Sequence, residues 1–247
     1  KKLTAKDSTG KKATPPKPEK EKEDIKGFVA GIGLNQLFPV GGQERSGYNS
    51  GGTTGGLSDY IPVPMIRYYF SKKLYVQLDA QLNAPQYTKK NLVIQQQQQT
   101  LSPGRVLTNT VTVQKLFYFN LPLSIHYSPI DNLSVGAGQQ FSRLRNAVGS
   151  VDSTITNTIS TRVDSLISKR TLTLKNSTAY QLISTNEFRV LIDANYTYRH
   201  FIFGVRYNQA LSNFVNVQVG PGTFTQARNS SLQLYLRYIL WDDRKKK

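Results

Sequence analysis

The sequence predicts an all-β protein, a closed eight-stranded antiparallel up-and-down barrel that spans a membrane. Three observations predict it. Apolar and polar residues alternate in segment after segment from Gly27 onward, and no helical period competes with them. The connections between these segments alternate between short and long. The polar side of the alternation carries glycine and arginine, where a soluble outer face would carry Lys, Glu and Thr.

Residues 1–25 are rich in Lys, Glu, Pro and Ser, with little to bury, and read as a disordered basic tail or linker. The strand region is 26–241, and 242–247 (DDRKKK) forms a second basic tail. Lys1 is followed by no apolar signal-peptide core, a pattern open to a mature form or to a chain that is not exported.

Eight two-faced segments follow. In GFVAGIGLN, Phe28, Ala30, Ile32 and Leu34 alternate with glycines. PVPMIRYYF sets Ile66, Tyr68 and Phe70 against Met65, Arg67 and Tyr69; LYVQLDAQLN sets Leu74, Val76, Leu78 and Leu82 against Gln77 and Asp79. LFYFNLPLSIHY places Phe117, Phe119, Leu121, Leu123, Ile125 and Tyr127 opposite Asn120, Ser124 and His126. LSVGAGQQF carries Leu133, Val135, Ala137 and Phe141 on one face; FRVLIDANYTY opposes Val190, Ile192 and Ala194 to Arg189, Asp193 and Asn195. FIFGVRYN and LQLYLRYILW close the set, with Gly204, Arg206, Gln233, Tyr235 and Arg237 on their polar faces. Pro62 and Pro64 suit a strand start or bulge, whereas Pro122 is at odds with a mid-strand position because proline donates no ladder bond.

Segments two and three are joined by SKK, four and five by SPIDN, six and seven by Arg199–His200. The remaining connections, 35–60, 84–115, 142–187 and 209–230, read as long loops on one end, the pattern of short periplasmic turns and long extracellular loops. RVLTNTVTVQ and STITNTISTRVD alternate without being very apolar and are expected to carry strands beyond the bilayer as an outer rim.

An eight-stranded ring could instead be a soluble lipocalin-like carrier with its apolar face inward. Two features favour lipid outside. Tyr68, Phe70, Tyr127, Tyr198, Phe201, Tyr238 and Trp241 all flank the short turns or the C-terminal end, the place of an interfacial aromatic girdle. Arg67, Asp79, Arg189, Asp193, Arg206 and Arg237 share the glycine-rich face, and a narrow interior would force them to pair. A bore filled in this way is not that of a general porin, which needs roughly 16 or more strands.

The net charge of +17 is spread between the tails and the long connections, with no recognition helix, zinc-finger spacing or RNP motif, which argues against nucleic acid. Lys89, Lys90, Arg105, Arg143, Arg145, Lys169 and Arg170 are candidate contacts for anionic groups such as lipopolysaccharide phosphates. No catalytic set emerges. Cysteine is absent, His126 and His200 show no nucleophile or metal-ligand spacing, and no cofactor or metal is implied. GGQERSGYNSGGTTGG (41–56) lacks GK[ST] and reads as a loop, and QQQQQ (95–99) as a polar low-complexity tract.

At FYFNLPLSIHYSPIDNLSVGAGQQFS (117–142), the chain resembles the PorT-like outer-membrane β-barrel family of Bacteroidota. The opening GFVAGIGLN and the closing LQLYLRYIL are similar too, so that the resemblance spans 27–241. It implies an outer-membrane location, a central proline in the aromatic-rich strand and a role among envelope complexes, including accessory proteins of type IX secretion and barrels of anti-sigma signalling proteins. The chain departs from a terminal aromatic by running six residues past Trp241. The function expected is a non-enzymatic anchor or accessory subunit with lipid, lipopolysaccharide and protein partners in the envelope. A sensor barrel of a trans-envelope anti-sigma protein is the alternative.

Overall fold

The computed structural model describes residues 26–40, 61–157, 159, 162–220 and 222–244. Among the described residues ten strands follow one another: β1 (Gly27–Pro39), β2 (Val63–Tyr69), β3 (Leu74–Asp79), β4 (Gln81–Ser102), β5 (Arg105–Ile130), β6 (Leu133–Asn157), β7 (Arg162–Thr173), β8 (Asn186–Tyr198), β9 (Phe201–Gly220) and β10 (Thr223–Asp242). One helical turn, α1 (Thr178–Gln181), separates β7 from β8 and is capped by Ser177, whose Oγ accepts the Tyr180 N–H.

The pairings run β1–β2–β3–β5–β6–β8–β9–β10 and return from β10 to β1, every one antiparallel, so eight strands form a ring. These are the eight two-faced segments of the sequence. Their short turns lie at one end. Ser71 Oγ accepts the N–H groups of Lys73 and Leu74 in the first, and Asn132 and Arg199 take positive φ (69° and 53°) in the others. Residues 1–25 and GGQERSGYNSGGTTGG lie outside the described residues.

The expected long loops are largely strand. Residues 84–115 hold most of β4 and the start of β5, turning at Gly104 with φ +84°. Residues 142–187 hold the far half of β6, β7 and α1, and 209–230 is the β9–β10 hairpin turning near Gly222. The reason is chemical: outside an apolar medium neither strand face needs to be apolar, so Thr, Asn and Gln fill both and the hydrophobic period vanishes while β-propensity persists. The QQQQQ tract belongs to β4, paired with β5 from Gln95↔Val111 to Gln99↔Leu107. STITNTISTRVD is not one strand but spans the β6–β7 turn.

Pro122 finds its explanation in the register. On one side it faces Gln140 of β6; on the other, the ladder to β3 ends at Leu78↔Leu123 and the ladder to β4 begins at Gln81↔Asn120. The missing donor therefore sits at the break between β3 and β4. Pro64 is the second residue of β2 and accepts the Ala80 N–H through its carbonyl at 3.1 Å.

Large interior side chains occupy holes left by glycine. A Cβ on Gly204 would stand 2.1 Å from the Tyr235 ring, and one on Gly136 would stand 2.5 Å from His126 Nδ1. The small–large alternation is thus one of close fit inside a narrow ring. Two apolar layers close the bore. Val29, Met65, Tyr69, Tyr75, Ile202 and Ile239 pack near the short-turn end. Leu92, Ile94, Val113, Leu116, Leu144, Leu174, Ala179, Ile183, Phe214 and Val215 pack beyond the far end, where α1 and β9 meet β4, β5 and β6.

Candidate functional site: a charged bore and a basic outer rim

The alternation of β2, β3, β8, β9 and β10 sends one residue in two into the ring, and register brings Asp193 beside Arg206 and Met65 beside Asp79. Arg206 bridges two carboxylates, Nε to Asp193 Oδ2 at 2.7 Å and Nη1 to Asp79 Oδ2 at 2.9 Å. Arg237 Nη2 reaches the same Asp79 oxygen at 2.7 Å, and Gln77 donates to the other at 3.1 Å. The Tyr235 hydroxyl donates to Asp193 Oδ1 at 2.5 Å while its ring lies 3.9 Å under Arg237. Arg67 is held by neutral groups: it donates to Gln77 Oε1 at 2.8 Å and Asn195 Oδ1 at 3.4 Å and lies over Tyr75. All of these charged groups are buried. Burial of ions is tolerated only with partners, and the network supplies them.

Arg189 stands apart from this cluster, a departure from a single network of six charges. It forms a second one with Glu187, through Nη2 at 3.0 Å and Nε at 3.1 Å. Tyr118 donates its hydroxyl to Glu187, and Asn229 donates to the same oxygen at 2.7 Å. Sequence reasoning placed Glu187 in a loop, yet it is 1% exposed on β8. The signal was present: Glu187, Arg189, Asp193 and Asn195 share one parity. Tyr235, Tyr75, Gln77 and Asn229 were missed as network members because neutral polar side chains give no charge pattern to follow.

His126 does have a serine neighbour, contrary to its reading as isolated: Ser124 Oγ lies 2.8 Å from Nε2. Asn195 Nδ2 lies 3.3 Å from Nδ1, and its amide oxygen is engaged by Arg67 and Tyr75. The amide therefore donates to Nδ1, leaving the proton on Nε2, where it points at Ser124. That tautomer cannot take a proton from the serine. His126 is fully buried and stacked on Tyr75 at 4.7 Å.

Outside, the polarity is reversed. Every strand of the ring exposes large apolar side chains, among them Ile32, Ile66, Leu78, Ile125, Val135, Ile192, Phe203 and Leu236. Ile192 is 65% exposed and Ile125 59%, on a belt that runs all the way round. An apolar area of this extent is not that of a water-facing surface, and it is the opposite of a lipocalin-like carrier. It matches lipid. Phe70, Tyr127, Tyr198, Phe201, Tyr238 and Trp241 are exposed at the short-turn end, and Tyr68 is half-buried between Phe28 and Phe70. Phe117 is buried but belongs to neither interior cluster, and Lys115 lies over its ring at 4.8 Å.

The candidate anion contacts do not form one cluster. Arg143 and Arg145 are exposed on the outer wall of β6 just beyond Phe141, and Arg145 donates to the Leu82 carbonyl at 3.2 Å. Lys169 and Arg170 lie on β7, Lys169 facing Asp152 at 3.7 Å. Arg105 sits at the β4–β5 tip. The side chains of Lys89 and Lys90 lie outside the described set. Among the described residues no group of acids, histidines or cysteines could hold a metal ion.

No family model and no curated protein matches the chain. Among solved structures, it is similar to Ail, the attachment invasion locus protein of Yersinia pestis, in complex with the heparin analogue sucrose octasulfate: TM-score 0.36, 9% identity, 88% of this chain and 99% of that one. It is also similar to the outer-membrane protein AlkL in DMPC bilayers, with TM-score 0.38, 14% identity and coverage of 96% and 100%. A third likeness is the outer-membrane channel DcaP of Acinetobacter baumannii, with TM-score 0.17, 11% identity and coverage of 86% and 71%. Likenesses this distant carry no functional weight; the chain's own geometry does.

Proposed function

We propose that this chain is an outer-membrane β-barrel of a Gram-negative bacterium and that it serves as a non-enzymatic anchor or accessory subunit of an envelope complex. One observation carries the reading: charges are buried and paired inside the ring while isoleucines, leucines and phenylalanines cover its outside. Backbone groups in lipid must be satisfied within the protein, and a ring of strands does this where an open sheet would not. The bore is occupied by two apolar layers and two ion clusters, which supports a role in holding rather than conducting.

In this orientation the short turns face the periplasm, and so do both ends of the described chain, since Gly27 abuts Asp243. The β4–β7 and β9–β10 extensions then face outward. Arg143 and Arg145 sit at the level where lipid A phosphates lie, and guanidinium–phosphate pairs are strong enough to order that contact. The resemblance of 117–142 to PorT-like proteins supports a secretion-related assembly in Bacteroidota as the setting.

The test is reconstitution followed by capture. The purified protein migrates in a heat-modifiable manner, gives closed planar bilayers without channel steps, and retains an envelope protein when affinity-purified from native membranes. Steady conductance steps would remove the plugged-anchor reading, and a monodisperse protein in detergent-free buffer would remove the membrane itself.

A further inference from the structure

The outer extension ends on two strand edges. Among the described residues, β7 pairs only with β6, and β4 beyond the ring pairs only with β5, so the sheet there runs β4–β5–β6–β7 and stops. Such edges are templates for another strand. We propose that they pair with each other between copies, β4 of one chain adding to β7 of the next. This rests on the membrane-spanning reading above.

Strand direction selects this pairing. β4 ascends from the short-turn end and β7 descends toward it. All copies in one membrane share the same up and down. Two β4 edges could therefore meet only in parallel, as could two β7 edges, whereas β4 and β7 of neighbouring copies meet antiparallel. The two also present opposite edges of one sheet. The sheet continues across the contact with every strand still alternating in direction.

Sequence chemistry agrees. From Leu92 to Ser102, β4 reads LVIQQQQQTLS, without a charge or proline to block pairing, and Gln96–Gln99 are exposed on both faces. The β7 segment carries Arg162, Lys169 and Arg170 against Asp164, so β7 repels another β7 but meets no like charge on β4 between Leu92 and Ser102. Both edges lie beyond the apolar belt, where lipid does not cover them. Pairing over Gln95–Ser102 gives about 26 Å of ladder, a small contact that confinement in one membrane makes effective.

The chain has no cysteine, which permits a direct test. Single variants at β4 (Q96C to Q99C) and at β7 (S168C to T171C) are mixed in one set of liposomes and oxidised mildly. The expected dominant product is the mixed β4–β7 disulfide dimer, lost in a Q97P background that still folds as judged by heat-modifiable migration. Inserted, folded protein that gives no mixed dimer, or mainly β4–β4 links, overturns this proposal alone. An intramolecular link from β4 to a cysteine placed in 41–60 overturns it too, since that segment then covers the edge. Protein that never enters the liposomes overturns the membrane reading along with it.

Discussion

Strand β5 passes through both regions of the molecule and reads differently in each. Near the short turns Leu123 and Ile125 point outward around Ser124 and His126, which are buried. Beyond the ring's apolar belt the sense inverts: Val113 and Leu116 are buried while Thr110 and Gln114 are partly exposed. The strand and its antiparallel pairing with β6 run on through the inversion, with register shifts at Val113/Lys115 and Phe117/Tyr118. What differs is the solvent. In the belt, hydrocarbon rewards apolar side chains outside and forces charges to find partners within; in the extension, water restores the ordinary order with an apolar core of Leu92, Ile94, Phe214 and Val215. One chain, two solvents, two binary patterns.

The fitted interior of the ring is the most sensitive part of the molecule. Gly204→Leu places atoms where the Tyr235 ring stands and is expected to abolish heat-modifiable folding, with recovery in the Gly204→Leu/Tyr235→Ala double variant. Refolding yield into detergent micelles checks both.

Next come the charges. Asp193→Asn leaves Arg206 with a weakened buried partner and is expected to cost about 3–5 kcal/mol in reversible urea unfolding. Lys169→Ala, which breaks an exposed pair in the extension, is expected to cost about 0–1 kcal/mol in the same assay. Equal costs would mean that the bore is wet.

The belt gives the next contrast. Ile192→Lys puts a charge into hydrocarbon and is expected to destabilise by about 2–4 kcal/mol in bilayers. Gln97→Lys in the extension is expected to stay within about 0.5 kcal/mol. The smallest expected effect is on conductance. Ile159→Ala at a hairpin tip, where the side chain is 88% exposed, leaves planar bilayers as silent as the parent does.

Much of the ring was legible because lipid enforces a strict period. Each polar-face charge lies inside, and Asp79 and Asp193 meet Arg206 across strands far apart in sequence. The extension was illegible for the converse reason: with water on both sides, Thr108, Gln97 and Ser153 carry no inside–outside message, so hairpins passed for loops. Glu187 was misplaced because it sits where the belt ends and the hydrophobic period has already faded. Pro122 could be understood only once the β3–β4 break opposite it was known.

Spin labels along β10 read out whether alternate residues of a ring strand face acyl chains and a packed bore. With cysteines introduced singly at 232–238 and labelled in liposomes, labels at Leu232, Leu234 and Leu236 are expected to be oxygen-accessible and those at Gln233, Tyr235 and Arg237 immobilised and inaccessible. Labels at 232, 234 and 236 that are reached by a water-soluble nickel reagent instead would contradict it.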